Sequence, residues 1–501
     1  MCALPGLTLE WKSIEQGGNL ASLLAQAAAS CSLTRSERLR VIDNKNCAHG
    51  SDAMNNDNSA IGGFMPDPNT VSSPAAEGRK LTYTEKKAIV AATLGTIVEY
   101  TDWVIYATFS SILAKQFFPA GNSLTALLSV LAVFAVGFLM RPIGGAVLGA
   151  FADRYGRKKG LTLSILLMSV ASFVIGVCPN YESIGIAAPI ILVLARLVQG
   201  FSAGGEFGSA SAFLIESAPA DRRAFAGSWQ WFAINAGTLV SFLLGFVLAS
   251  VGSDTALTDW GWRVAFVIAA FLGLLTLWIR LSVRETEVFK SRIAKGQVPK
   301  KPVREIFTTH RKDMGRVIGI AMAGNLLNYV WMVSYPSQVH LVTGMPIRET
   351  LLSGVISVGV SLLLMPLVGM LADRVGRRPV LIAFAACSML WAWPSFGLLY
   401  QGISLAEVAV LQTISLVIMS GFGAACAVTI AEQFPAEVRV TGISLPYALS
   451  VTLFGGTSPY IMTAMSGWGY GHLFWIYLVA VSFVSLVVYL RMPETKGQPL
   501  R

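Results

Sequence analysis

The segment A-D-R-Y-G-R-K at 152–158 returns later in the chain as A-D-R-V-G-R-R at 372–378. A second segment also occurs twice, as E-S-A-P-A-D-R-R at 216–223 and as E-Q-F-P-A-E-V-R at 432–439. The two motifs follow one another in the same order, and long apolar stretches surround every copy. The chain is therefore predicted to consist of two related halves.

The composition of the chain indicates which solvent surrounds it. Of the 501 residues, 54% are hydrophobic and only 13% are charged, whereas ordinary soluble domains contain about 25% charged residues. Long soluble chains divide into several separately hydrated domains, so this composition excludes a soluble protein and favours lipid. The net charge of +10 is then attributed to loops at one membrane face rather than to a nucleic-acid partner.

Residues 1–80 differ from the rest of the chain, because they show no hydrophobic periodicity and are rich in polar residues, Gly and Pro. We predict a disordered tail here. The apolar patch at 20–29 resembles a signal-peptide core, but no basic region immediately precedes it and Gln26 interrupts it. Our hypothesis is that translation begins at Met54 or Met65, which N-terminal sequencing that recovered residues before Met54 would contradict.

The remaining chain has room for about twelve spanning helices, since each needs about 20 apolar residues. We predict an all-α membrane protein with two pseudo-symmetric six-helix bundles, at 86–281 and 314–491, joined by a cytoplasmic connector at 282–313 and followed by a short tail at 492–501. The predicted spans are 88–112, 124–150, 161–178, 186–215, 224–251, 260–281, 314–340, 350–371, 379–400, 405–432, 440–466 and 470–491.

The basic residues of the loops predict the orientation of the helices. Lys and Arg are concentrated after spans two, four and eight and in the connector, whereas the alternate loops offer only Lys115, Arg263 and Arg348. Because positively charged loops stay in the cytoplasm, both termini and the connector are predicted to be cytoplasmic.

The repeated loop D-R-x-G-R-[KR] follows spans two and eight, at the predicted cytoplasmic ends. Its acid and its bases can pair with a neighbouring helix end and hold an inner gate shut, and its glycine permits a tight turn. A cluster of positive charge that serves only orientation would need neither the Asp nor the Gly. The predicted gate residues are Gly149, Asp153, Arg154, Gly156, Arg157, Glu216, Asp373, Arg374, Gly376, Arg377 and Glu432.

The same loop, read as G-x-x-x-D-R-x-G-R-K from Gly149, resembles the loop signature of the major facilitator superfamily. Within that superfamily the chain resembles the metabolite:proton symporters, which include α-ketoglutarate, citrate, shikimate and proline/betaine carriers. The stretches that carry the resemblance are F-L-M-R-P-I-G-G at 138–145, L-A-R-L-V-Q-G-F-S-A-G-G-E at 194–206 and D-W-G-W-R at 259–263. The family usually has Glu-Trp-Phe-Asp in span one, whereas this chain has E-Y-T-D at 99–102, a change that concerns substrate preference.

Charged residues inside the predicted spans identify candidate coupling residues. Glu99 lies roughly 17 Å into span one by helix rise, Asp102 follows one turn later, and Arg196 lies at similar depth in span four. A charge at the bilayer centre costs roughly 2.5–3.5 kcal/mol, so such groups face a wet cavity or each other. A silent buried ion pair is the alternative, although buried pairs add little stability. Arg141 in span two is a second candidate, for the substrate or for the gate.

Further polar residues accompany these charges. On span four, Arg196, Gln199 and Glu206 share one helical stripe, while Gly200, Gly204 and Gly208 form a stripe suited to close packing. In spans five and seven, Asn235, Asn325, Tyr329 and Trp331 can bind a substrate or merely satisfy one another. Spans seven to twelve contain almost no midplane charge, so we predict that the charge chemistry belongs to the N-terminal half.

These observations predict a secondary transporter, since internal duplication is typical of that class. The resemblance implies proton symport of a small organic acid such as α-ketoglutarate or citrate, and the residues alone imply coupling between an acid and an arginine. Uptake of a zwitterionic osmolyte and, less favoured, drug:proton efflux are alternatives. No ATP-binding loop G-x-x-x-x-G-K-[ST] occurs, no cofactor, metal or nucleic-acid site is predicted, and the chain is expected to act as a monomer in the bilayer.

Overall fold

The computed structural model describes residues 83–118, 123–216, 218–251, 257–282, 285, 302–498 and 500. The predicted tail at 1–80, with its alternative starts, and much of the predicted connector at 282–313 lie outside these residues. The described residues belong to one compact unit and form helices and turns, with no strand among them.

Twelve long helical runs follow one another in the described part of the chain. They are α1 (Tyr83–Thr108), α2 (Ser123–Tyr155), α3 (Arg157–Val177), α4 (Ala187–Glu216), α5 (Arg223–Val251), α6 (Trp262–Leu281), α7 (Arg311–Leu327), α8 (Ile347–Val375), α9 (Arg377–Gly397), α10 (Leu405–Ala431), α11 (Arg439–Ser450) and α12 (Phe474–Arg491).

Short helical segments extend several of these helices. Ser110–Phe117 continues α1, while α7 passes through a π-helical segment, Asn328–Val333, into Tyr335–Thr343. In the same way α11 passes through Val451–Gly456 into Ser458–Gly467. In α7 the backbone N–H of Ser334 donates to the carbonyl of Tyr329 over 3.0 Å, five residues back. The π-helical segments leave α7 and α11 irregular near the middle of the bundle, where such segments often mark functional positions.

The predicted spans agree with these helices to within a few residues at most ends. Ten helices in the described part are long and apolar enough to cross a membrane. The other two spans are α1, which contains Glu99 and Asp102, and the interrupted run that begins with α11. The predicted twelve-helix fold is thus confirmed, while the boundaries of two separate bundles stay a prediction.

Helix packing follows the same scheme in each half. In the first half α4 packs against α2 and α3, and α6 packs against α3 and α1. In the second half α10 packs against α8 and α9, and α12 packs against α9 and α7. The halves meet where α5 packs against α8 and where α11 packs against α2 and α4. Large apolar side chains such as Leu390 and Trp278 remain exposed on the outside of the bundle, as lipid contact requires.

Candidate functional site

Arg196 of α4 carries a fully buried guanidinium that forms no ion pair within 4.0 Å with any described residue. Its Nε, Nη1 and Nη2 atoms have no hydrogen-bond partner among the described residues. Its Cζ lies 3.6 Å from the ring centre of Tyr106 and 5.1 Å from that of Trp103. Cation–π attraction to the two rings stabilises the charge, but it leaves the N–H groups unsatisfied, at a cost in free energy. The site is therefore suited to accept a negatively charged group.

Asp102 of α1 lies beside this arginine and interacts with its charge, but no ion pair within 4.0 Å joins them in the described structure. Instead Gln199 Nε2, one turn after Arg196, donates to Asp102 Oδ2 over 2.6 Å and to Ser172 Oγ over 2.9 Å. Asp102 Oδ1 has no hydrogen-bond partner in the part of the chain that the structure describes. The carboxyl is thus held through one oxygen, and the other oxygen can carry a proton.

Arg141 of α2 contacts the same aromatic cluster. Its Cζ lies 4.2 Å from the ring centres of both Trp103 and Phe138, and its Nε and Nη2 atoms have no hydrogen-bond partner within the described ranges. The Trp103 ring therefore contacts two guanidinium groups. Tyr329 completes the cluster from the second half, with its ring centre 5.1 Å from that of Phe138.

Glu99, the other acid of α1, borders a small cavity together with Arg141, Gln230 and Tyr447. The cavity measures about 10 Å³, about the room for one water molecule. An organic acid does not fit into this cavity.

Glu206 was predicted to take part in coupling, and the structure places it in a buried ion pair with Arg280 of α6. Arg280 Nη1 also donates to the carbonyl of Leu161 over 2.6 Å and to Glu206 Oε2 over 3.2 Å. The guanidinium packs against the backbone of α1, because a Cβ added to Gly95 would lie 1.5 Å from Arg280 Nη2. The ion pair therefore connects α4 with α6, Arg280 also contacts α3 and α1, and Glu206 does not pair with Arg196.

The predicted amides lie between helices. Asn235 Nδ2 donates to Ser361 Oγ over 3.0 Å, from α5 to α8, and Asn325 Nδ2 donates to Ser450 Oγ over 3.3 Å, from α7 to α11. Trp331 is fully buried, and its carbonyl accepts from Gln412 Nε2 over 3.3 Å. These residues are thus engaged with neighbouring helices in this conformation.

The first D-R-x-G-R loop contacts the start of α11, in the other half. Asp153 Oδ2 accepts hydrogen bonds from the backbone N–H and the Oγ1 of Thr441, over 2.9 and 2.7 Å. Arg157 lies 3.2 Å from Asp153 Oδ1 and 3.6 Å from Glu216 Oε1, and Arg439 Nη1 lies 2.9 Å from the same Glu216 oxygen. A carboxylate at a helix N-terminus is favourable, so this network joins the two halves.

The second loop repeats this arrangement at the start of α5. Asp373 accepts hydrogen bonds from the backbone N–H groups of Ala224 and Phe225, both over 2.9 Å. Arg377 lies 3.3 Å from Asp373 and 3.7 Å from Glu432, and Arg223 lies 3.9 Å from Glu432. We call these two networks the paired clasps: one contains Asp153, Arg157, Glu216 and Arg439, and the other contains Asp373, Arg377, Glu432 and Arg223.

The glycines of the motif have steric reasons to be glycine. Gly156 and Gly376 adopt φ values of 117° and 114°, which side chains disfavour. A Cβ on Gly149 would lie 3.2 Å from the Cα of Thr441, so α2 and α11 approach closely there. Arg154 and Arg374, also predicted in the gate, are exposed and do not belong to the clasps.

Sequence reasoning missed two acids that follow α6 and α12. Glu285 accepts from the backbone N–H of Lys158 over 3.1 Å, and Glu494 accepts from those of Arg377 and Arg378 over 3.0 and 2.9 Å. Burial alone would raise the pKa of Glu494, but these bonds and others from Thr495 and Lys496 hold the pKa below its usual value. The sequence did contain a signal for these acids. R-E-T at 284–286 follows the last span of the first half, and P-E-T at 493–495 follows the last span of the second half.

Sequence reasoning also missed Arg280 and the aromatic residues around the two arginines. Arg280 stands at the end of a span, where the sequence indicates only a basic residue that sets the orientation of the helix in the membrane. Trp103 and Tyr106 stand near Asp102 on α1, but helical spacing alone does not distinguish a cation–π partner from an ordinary core residue. Their role is visible only once α1, α2 and α4 are packed together.

A larger cavity opens at the end of the bundle opposite the D-R-x-G-R loops, and we call it the vestibule. It measures about 830 Å³. Its lining residues are Ser110, Ser111, Ala114, Lys115, Phe118, Ser123, Leu124, Ala126, Leu127, Ser337, His340, Leu341, Gly344 and Ile347. A smaller cavity shares Ser110 and Ser337 with it and reaches Phe134. The vestibule is therefore an opening at this end of the bundle, whereas the ion pairs of the paired clasps are largely buried at the other end.

Comparison with known proteins gives one concordant family. The profile described as sugar (and other) transporter matches residues 87–501. The alpha-ketoglutarate permease of Escherichia coli (strain K12) is 35% identical over 416 residues, which cover 83% of this chain and 95% of that protein. The citrate-proton symporter of Klebsiella pneumoniae is 34% identical and covers 75% of this chain and 85% of its own length. The proline/betaine transporter of Escherichia coli (strain K12) is 32% identical, and the match covers 83% of this chain and 85% of that protein.

The fold has solved counterparts as well. The structure of the proton:xylose symporter XylE bound to 6-bromo-6-deoxy-D-glucose superposes with a TM-score of 0.67 and 22% sequence identity, covering 83% of this chain and 98% of that one. At that identity the likeness concerns the fold alone.

Proposed function

Since the chain belongs to the sugar (and other) transporter family of the major facilitator superfamily, among its metabolite:proton symporters, we propose that it carries a small di- or tricarboxylate into the cell together with protons. The proposal goes beyond family membership in three respects, which are the substrate, the coupling of its transport to protons and the direction of transport.

The observation that carries the proposal is the state of Arg196. A buried guanidinium with three unpartnered nitrogens is costly, and a substrate carboxylate would satisfy it through two parallel hydrogen bonds. Arg141, whose Cζ lies 4.2 Å from the ring centre of Trp103, likewise has nitrogens without a hydrogen-bond partner among the described residues. Two such groups around one ring favour a substrate with two or more carboxylates over a monoanion.

Asp102 is the proposed proton carrier. While it is ionised, its charge competes with the substrate for Arg196; protonation at Oδ1, the oxygen without a partner, removes that competition. The substrate anion then binds, and the loaded carrier rocks toward the cytoplasm. Proton release on that side restores the negative charge and weakens substrate binding, so the two movements are coupled.

The paired clasps are the proposed cytoplasmic gate, in agreement with the positive-inside rule. In this arrangement the structure represents a state closed toward the cytoplasm, and both termini lie on the cytoplasmic side of the cell membrane. Rocking to the inward-facing state requires both clasps to open. The transporter is proposed to act as a monomer, because the binding groups belong to one chain.

Uptake by cells or proteoliposomes tests the proposal directly. We expect labelled α-ketoglutarate or citrate to accumulate against a gradient, and a protonophore to abolish the accumulation. Arg196→Lys should lose uptake, since an ammonium cannot form the bidentate contact, whereas Arg348→Lys at the vestibule end of the bundle should retain it. Accumulation that is insensitive to the protonophore would disprove proton coupling.

Uptake of a zwitterion such as betaine or proline is the second candidate, favoured by the 32% identity to a proline/betaine transporter. A zwitterion has one carboxylate and a cationic group, so it would use Arg196 and an aromatic ring of the Trp103 cluster, with Arg141 displaced from that ring. The same uptake panel separates the two: accumulation of betaine without that of the dicarboxylates would select this candidate.

A further inference from the structure

We propose that the vestibule is an outer anion-binding subsite, in which Lys115 attracts a small organic anion before it reaches Arg196. The sidedness of this subsite rests on the proposed function, but its chemistry follows from the residues that line it.

The charge of the vestibule has one sign. Lys115 is exposed in the last turn of Ser110–Phe117, and it has no ion-pair partner within 4.0 Å in the part of the chain that the structure describes. None of the described residues that line the vestibule is acidic. Apolar walls of low dielectric concentrate the field of such a charge inside a cleft, so the vestibule favours an anion over a cation of equal size.

The walls also offer hydrogen bonds. Four serines line the vestibule, namely Ser110, Ser111, Ser123 and Ser337, and the Ser337 hydroxyl donates to the carbonyl of Ala107 over 3.4 Å. His340 Nδ1 donates to the carbonyl of Met345 over 2.6 Å, so Nε2 accepts in the neutral ring and donates a hydrogen bond to an anion only when the imidazole is protonated. A polyanion of a few ångströms fits into about 830 Å³, whereas it does not fit the cavity of about 10 Å³ beside Glu99.

The vestibule lies on a path that leads inward to Arg196. The smaller cavity beneath it shares Ser110 and Ser337 and reaches Phe134. The ring of Phe134 lies 5.5 Å from that of Trp103 and 5.8 Å from that of Tyr106, and both of these rings contact Arg196. An anion that leaves the vestibule inward thus meets an aromatic barrier and then the unpartnered guanidinium.

The chain supplies a matched control for Lys115. Arg348 is a second cation at the same end of the bundle, but its Cζ lies 5.6 Å from the ring centre of Phe246 and it does not line the vestibule. Removal of either charge changes the net charge equally, so only a local effect distinguishes them.

The test measures the electrostatic potential in the vestibule without any substrate. Ser111→Cys, an exposed lining position, is introduced into the full chain in right-side-out vesicles. Its reaction rates with anionic sulfonatoethyl and cationic trimethylammonioethyl methanethiosulfonate are compared, after subtraction of the rates for the protein with its native cysteines only. We expect Lys115→Gln to lower the anion-to-cation rate ratio by roughly three- to tenfold, and Arg348→Gln to leave it unchanged.

The effect of Lys115 should shrink at high salt, because exposed charges are screened over about 10 Å at 0.1 M. A second measurement uses labelled α-ketoglutarate: Lys115→Gln should raise KM several-fold and leave kcat unchanged. A rate ratio that does not depend on Lys115 overturns the inference, whatever the uptake shows. A ratio that depends on Lys115 in a protein that does not carry α-ketoglutarate upholds the subsite and refutes the proposed substrate instead.

Discussion

The two acids of α1 differ in their surroundings, although they stand only three residues apart. Asp102 is held by Gln199 through one oxygen and lies beside Arg196. Glu99 borders the small cavity with Arg141 and also interacts with the charges of Glu206 and Arg280. The sequence cannot separate them as proton carriers. Their contacts favour Asp102, because it shares Arg196 with the proposed substrate.

The variant Asp102→Asn tests this assignment. Asn can still accept the hydrogen bond from Gln199, but it cannot release a proton, so we expect proton-driven accumulation to fall to the level of equilibration. Exchange of labelled for unlabelled substrate should continue. The matched variant Glu99→Gln should keep most of the accumulation. If Asp102→Asn still concentrates substrate in response to a pH gradient, the proton is carried elsewhere.

The Arg280–Glu206 pair is the other residue-scale feature that only the structure reveals. Both side chains are almost fully buried, so loss of one partner leaves an uncompensated charge. We predict that Arg280→Met destabilises the protein by about 3–5 kcal/mol, measured as thermal unfolding in detergent. The double variant Arg280→Met with Glu206→Gln should recover a large part of this loss. Equal stability of the single variant and the wild type would contradict the pairing.

At the scale of helices, glycines fix how closely α2 and α4 approach. A Cβ on Gly204 would lie 2.1 Å from the carbonyl oxygen of Arg141, and one on Gly200 would lie 1.8 Å from that of Gly137. The glycine stripe of α4 indicates close packing from its spacing alone. The spacing does not predict which groups these glycines contact. Gly200 and Gly204 contact the backbone of α2, and Gly208 contacts Ser444 of α11.

A pair of glycine substitutions measures this close packing. Gly204→Ala should force α2 and α4 apart and cost about 1–3 kcal/mol, the usual range for overpacking. Gly359→Ala in α8, where an added Cβ meets no atom within 4 Å, should be neutral or stabilise by up to about 1 kcal/mol, since Ala favours helix. Thermal unfolding of the two variants gives the comparison, and a tolerated Gly204→Ala would show that the helices can separate at no cost.

At the scale of the whole molecule, the paired clasps join the halves through equivalent contacts. Each uses the Asp of one loop to hold the first N–H groups of a helix in the other half, α11 or α5. The clasps are not identical in exposure, since the Asp153 side chain is 0% exposed and the Asp373 side chain 9%. Charge-assisted bonds strengthen with burial, so the Asp153 clasp should be the stronger one.

Substitutions in the clasps should shift the molecule toward its inward-facing state. Asp153→Ala and Asp373→Ala each remove charge-assisted bonds worth about 1.5–3 kcal/mol, and the shift should be greater for Asp153→Ala. Labelling of Ser444→Cys, buried between α11 and α4, by a polar maleimide from the cytoplasmic side reports the opening. The exposed Arg154→Gln is the control that should leave labelling unchanged. If neither Asp variant accelerates labelling, the clasps are not the gate.

The sequence by itself determined the number and order of the helices, the repeated loops and the identity of the charges inside the membrane. It could do so because apolar length, basic loops and intramembrane charge are local properties of the chain. Only the tertiary structure decided which charges pair: Glu206 with Arg280, Glu216 with Arg439, and Arg196 with aromatic rings instead of a carboxylate. Pairing depends on the depth and rotation of helices that are distant in sequence, and the periodicity of one helix fixes neither of these relative to another.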